Sequence, residues 1–153
     1  MQSRKVISSA LTGTAFMTLF SYLVSDSKNK NFREPDVLAN LLRSLFPDFD
    51  KQHATVAGWS SHLAAGILFT TLYDLIWENT KIKPNLVSGL LFGAASGLVG
   101  ILIWKISFEA HPHPPIKDLK TYFGHLMLAH LVFGASSAMG YNLVKEEHQF
   151  SLN

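Results

Sequence analysis

The chain has no cysteine and little charge. Without cysteine there are no disulfides, no thiolate metal ligands and no thiol nucleophile among its 153 residues. Asp, Glu, Lys and Arg together make up only 16%, against about 25% in an ordinary soluble domain. The formal net charge is +2 and no basic patch is interleaved with aromatics, so nothing follows a phosphate backbone and nucleic acid is excluded as a partner. Catalytic signatures are missing as well: there is no G-x-S-x-G elbow, no phosphate-binding loop and no H-E-x-x-H pair. An enzyme is therefore not the expected reading.

What the chain does have is apolar sequence. Hydrophobic residues make up 48% and gather into four stretches, at about 6–24, 54–77, 86–106 and 122–144. Each has roughly the 20 residues that a helix needs to cross a bilayer core of about 30 Å. The expectation is an all-α integral membrane protein of one domain over residues 1–153, with four transmembrane helices and the lipid bilayer as its surroundings. The first stretch follows Arg4 and Lys5 as a signal peptide would, but Ser25, Asp26 and Ser27 form no A-x-A-like cleavage site, so it is read as a retained helix. The second and third are joined by the short turn at residues 78–85, in which Pro84 interrupts any continuous helix. Basic residues flank the spans on both sides, and the orientation stays open.

Between the first two spans, Val37, Leu38, Leu41, Leu42, Leu45 and Phe46 recur on one helical face. Pro35 leads them and Pro47 follows. This pattern predicts a short amphipathic helix over about 35–46, lying at the headgroups or capping the bundle. The third connection contains His111, Pro112, His113, Pro114 and Pro115, and its prolines require an extended loop.

Spans two and four share a pattern. His62, Leu63, Gly66, Tyr73, Leu75 and Glu78 align without a gap with His130, Leu131, Gly134, Tyr141, Leu143 and Glu146. The four spans thus read as two pseudo-repeated hairpins. Offsets of four and eleven residues return to nearly the same direction on a helix, so His, Gly and Tyr form one stripe in each span. Parallel spans place His62 and His130 at equal depth, Gly66 and Gly134 one turn deeper, and Tyr73 and Tyr141 in a second layer beside Asp74 and Asn142.

A polar side chain inside a bilayer is costly, which makes His62 and His130 the candidate site. One chemistry that fits is haem b, with both histidines as axial ligands and Gly66 and Gly134 making room. Another is a divalent metal, with His125, His111 or His113 completing the shell. Proton, ion or small-molecule passage is a third, and interhelical hydrogen bonding without any cofactor is the bland alternative. Gly89, Gly93 and Gly97 form a small-residue ridge on span three, suited to helix packing inside the bundle or to a homo-oligomer. Trp59, Trp77, Trp104, Tyr22 and Tyr122 lie near span ends and are read as an interfacial aromatic belt.

The run Gly58-Trp59-x-x-His62-x-x-x-Gly66, followed by His130-x-x-x-Gly134 and Tyr141 and preceded by the proline-led segment, resembles the YagU-like group of small bacterial inner-membrane proteins. The resemblance would cover roughly residues 6–144. It implies four helices in the inner (plasma) membrane and an undefined activity. The histidine-rich third loop departs from it.

Overall fold

A computed structural model describes residues 2–46, 48–111 and 113–150, with the side chains of residues 2 and 145–150 set aside. Pro47 and Pro112 therefore lie outside the described residues, as do the side chains of Lys145, Glu146 and His148. The described residues form five helices and no strand: α1 (Gln2–Lys28), α2 (Glu34–Leu45), α3 (Lys51–Asn79), α4 (Leu86–Glu109) and α5 (Leu119–Phe150). Each expected span falls inside one of the four long helices, and the amphipathic segment is α2.

Local chemistry sets several ends. Asn29, at φ 51°, terminates α1 in the left-handed conformation that asparagine tolerates. Pro35 sits in the first turn of α2, where its missing N–H costs nothing. Asp50 caps α3 by accepting from the His53 backbone N–H, and Asn85 and Ser88 form a capping box at the start of α4. Asp118 accepts from the Thr121 N–H at the start of α5.

Helices α1 (Ser3–Lys28) and α4 (Leu86–Glu109) are long and apolar enough to cross a membrane. By that measure two of the four expected spans are met. The polar and ionisable groups of α3, such as His62, Thr70 and Asp74, and of α5, such as His125, His130 and Asn142, lower the apolarity of those two helices. Their outward faces are nonetheless apolar: Val56, Leu68, Leu72 and Leu75 on α3, and Leu128, Met139 and Leu143 on α5, are all exposed. The polar residues point inward, where Ser9, Ser21, Thr70, Asp74, His130 and Ser137 are buried.

Packing is uneven around the bundle. α5 is the hub, with its backbone close to both α1 and α4, and α1 also touches α3. The α1–α5 seam is made of small residues. Ser9 donates to the Ser137 carbonyl at 2.8 Å and Ser8 to the Gly140 carbonyl at 2.9 Å, and a Cβ added to Gly13 or Gly140 would collide with Ser137 or Thr12. The Gly89-Gly93-Gly97 ridge faces α5: Gly93 lies against the His130 carbonyl and Gly89 against that of Gly134. Since α5 covers it, the ridge is an internal seam, and a homo-oligomer formed through it would have to displace α5.

α3 stands apart from both α4 and α5, reaching them through long aromatic side chains. Tyr73 meets Phe92 and Phe133, Phe69 meets Phe133, and Trp77 meets Phe92 and Tyr141, at ring separations of 4.9–6.4 Å. The seams are thus packed differently: α1 and α4 each lie close against α5, whereas α3 and α4 are held apart. α2 closes one end of the bundle. Its Pro35 carbonyl and Ala39 lie against Gly58 of α3, a contact that leaves no space for a Cβ.

Candidate functional site

Where α3 stands off from α4 there is a cavity of about 180 Å³. His62 and Gly66 of α3, His130 and Phe133 of α5, Trp104 of α4, Thr14 of α1 and Glu34 of α2 all line it. Ser61, Ala65 and Ile103 also line it and are exposed, so the cavity reaches the outer surface between α3 and α4. Toward the far end of the bundle, Phe69, Phe133, Tyr73 and Phe92 fill the axis. Packed rings thus lie between the histidine layer and Tyr141, and Thr70, Asp74 and Ser137 are buried between the same two levels.

His62 and His130 share this cavity, as their stripe positions imply. The His62 Nε2 is 3.2 Å from the Thr18 hydroxyl. The His130 Nδ1 donates to the Leu126 carbonyl at 2.9 Å, which turns Nε2 toward Gly100, where a Cβ would lie 3.0 Å from it. Gly66 lines the cavity as expected, but Gly134 is spent on the α4–α5 seam. The aligned tyrosines also differ: the Tyr73 hydroxyl bonds Ser96 and the Phe92 carbonyl in α4, whereas Tyr141 donates to Glu78 in α3. Lys5 pairs with the same Glu78 carboxylate at 2.8 Å, joining α1 to this far end.

The remaining histidines do not complete a shell. His125 is stacked between Phe20 and Phe32 with centroids 5.4 and 4.6 Å away, and its Nε2 is 2.9 Å from the Ser21 hydroxyl. It faces α1 and α2 rather than the loop histidines. His111 bonds Ser44 of α2 at 2.7 Å through Nε2, and its Nδ1 accepts from the His113 backbone N–H at 3.0 Å. Among the described residues no three of His, Asp and Glu gather closely enough to hold a metal ion. A bis-histidine haem does not fit either. One Nε2 is engaged by Thr18, the other lies against Gly100, and 180 Å³ compares with a cavity of about 150 Å³ that accepts benzene, far short of a porphyrin.

The residue missed by the sequence reading is Glu34. It is 2% exposed, and Ser21 donates to its Oε1 at 2.8 Å. His125 lies 3.8 Å from the same oxygen. Oε2 has no hydrogen-bond partner among the described residues, nor has the Thr14 hydroxyl elsewhere on the cavity wall. Burial pushes the Glu34 carboxyl up to about 8, so near neutrality it is mostly protonated. A signal for it exists: Glu34 continues the helical face of Val37, Leu38 and Leu41 at spacings of three and four, placing an acid on an apolar stripe. Trp104, Trp77 and Tyr122 are buried too, at 9%, 5% and 1% exposure, so of the expected aromatic belt only Trp59 and Tyr22 stay near the surface. Trp104 instead forms part of the cavity wall.

No family model, curated protein or solved structure matches the chain. Its function has to be argued from the site itself.

Proposed function

We propose that the chain is a four-span membrane protein that binds a small, mainly apolar molecule in the cavity between α3, α4 and α5 beneath α2. The observation that carries this reading is a mainly apolar space with a side opening, two of whose lining residues, Glu34 and Thr14, each carry a buried polar atom, Oε2 and Oγ1, without a partner among the described residues. Pockets for small molecules have this character, apolar walls with a few convergent polar groups, and buried polar atoms without a partner are rare enough to need a reason.

Two features support the membrane setting. Most exposed large side chains on the four long helices are leucine, isoleucine and valine, while Ser9, Ser21, His62, Thr70, Ser88, Ser96, His125, His130 and Ser137 are buried, a distribution suited to lipid as the solvent. The helices also alternate in direction, which puts the ends of α1 and α4 and the starts of α3 and α5 together at the α2 end. The resemblance to the YagU-like group supports the inner membrane as the location. An opening between α3 and α4 then faces acyl chains, so the ligand reaches the cavity from the bilayer. The engaged histidine nitrogens argue against a haem or metal centre.

The test uses 4-fluorobenzyl alcohol, about the size the cavity admits, with the protein in lipid nanodiscs. Fluorine NMR is expected to show one shifted resonance that saturates at one equivalent and disappears in Ala65→Trp, whose indole blocks the mouth. Only non-saturable partitioning, equal in both proteins, would sink the reading.

A further inference from the structure

The polar groups on the cavity wall define what chemistry the ligand brings. Among the described residues Glu34 is the only acid on that wall, no Lys or Arg lines it, and the His125 ring nitrogen lies 3.8 Å from its Oε1. The carboxylate is used on one side only: Oε1 accepts from Ser21, while Oε2 has no partner. Phe69, Phe133 and Trp104 line the same space. A carboxyl oxygen without a partner, in a space also lined by aromatic rings, is an arrangement suited to an organic ammonium, whose N–H groups can take the place of the carboxyl proton. An anion would meet Glu34 and no Lys or Arg in this space.

We infer that the cavity selects a small aromatic or aliphatic amine, whose ammonium group donates to Glu34 Oε2 while its apolar body packs against Trp104, Phe69 and Phe133. This rests on the binding reading above and adds the ligand class. The titratable groups facing Glu34 are His125 and Tyr122 of α5 and Tyr22 of α1, with His62 and His130 on the shared cavity wall. Because the carboxyl is mostly protonated near neutrality, capture of an ammonium ion drives off its proton. The step balances as R–NH3⁺ plus the Glu34 carboxylic acid giving the ammonium–carboxylate pair and H⁺ to solvent.

The experiment is calorimetric titration of the full chain in nanodiscs with three probes of one size: benzylamine, benzyl alcohol and benzoate. Benzylamine is expected to bind about tenfold more tightly than benzyl alcohol, to release close to one proton near neutral pH, and to lose that advantage in Glu34→Gln. Benzoate is expected not to bind. Repeating the titration in buffers of different ionisation enthalpy measures the proton count on the wild type alone, so the inference stays falsifiable if Glu34→Gln fails to fold. Equal affinities for amine and alcohol, an amine preference that survives in Glu34→Gln, or amine binding without proton release would overturn the ligand class and leave cavity binding standing. Failure of all three probes to bind would overturn both.

Discussion

Glu34 is an acid buried at the start of α2. Burial raises its carboxyl from 4.5 to about 8, so the folded state holds a proton that the unfolded state gives up above 4.5. Glu34 thus contributes stability that is complete below 4.5 and is lost as pH rises toward about 8. The slope reaches up to about 1.4 kcal/mol per pH unit within that window. Glu34→Gln keeps the shape and the acceptor for Ser21 but cannot ionise. Thermal midpoints in detergent, followed from about pH 5 to about pH 8, should fall for the wild type relative to Glu34→Gln. Parallel curves would mean that the carboxyl is solvated and that α2 does not seal it in.

At the scale of the elements, the seams between helices depend on glycine. Gly134 lies against the backbone of Gly89 and Gly93, and neither can move aside as a flexible side chain would. Gly134→Val should therefore cost at least about 2 kcal/mol, read as a lower unfolding midpoint in detergent, whereas Gly124→Ala should be neutral because nothing lies within 4 Å of the added Cβ. Equal midpoints for the two variants would show that α4 and α5 do not meet as described. The four long helices, the amphipathic helix and the His-Gly-Tyr stripes were legible in the sequence because each rests on helical periodicity, which packing preserves. How the aligned residues are used was not legible. Gly66 borders the cavity while Gly134 closes a seam, because α3 is propped away from α4 by Tyr73, Trp77 and Phe92, and periodicity within one helix carries no information about the spacing between two. Glu34 could have been found as an acid on an apolar stripe. The enclosure of Trp104 could not, since an aromatic near a span end suits an interface and a core alike.

For the whole molecule, the arrangement fixes which connections share a side. The ion pair between Lys30 and Asp118 at 2.8 Å ties the α1–α2 connection to the start of α5, and Lys5 with Glu78 ties the start of α1 to the end of α3. Because the chain has no cysteine, single cysteines can report sidedness without background. Cysteines replacing Asn31, Gln52 and His113 should react with an impermeant maleimide from one face of the membrane, and one replacing Lys81 only from the other. Reaction of all four from one face would contradict four spans.

In the proposed function the side-opening cavity between α3 and α4 links the membrane setting to the ligand, and locating a bound molecule tests it most directly. A crystal structure with 4-bromobenzyl alcohol, phased on bromine anomalous scattering, should show one strong peak inside the space bounded by His62, His130, Trp104 and Glu34. Bromine peaks only on the outer, lipid-facing surface, with the cavity filled by an acyl chain or collapsed, would contradict it.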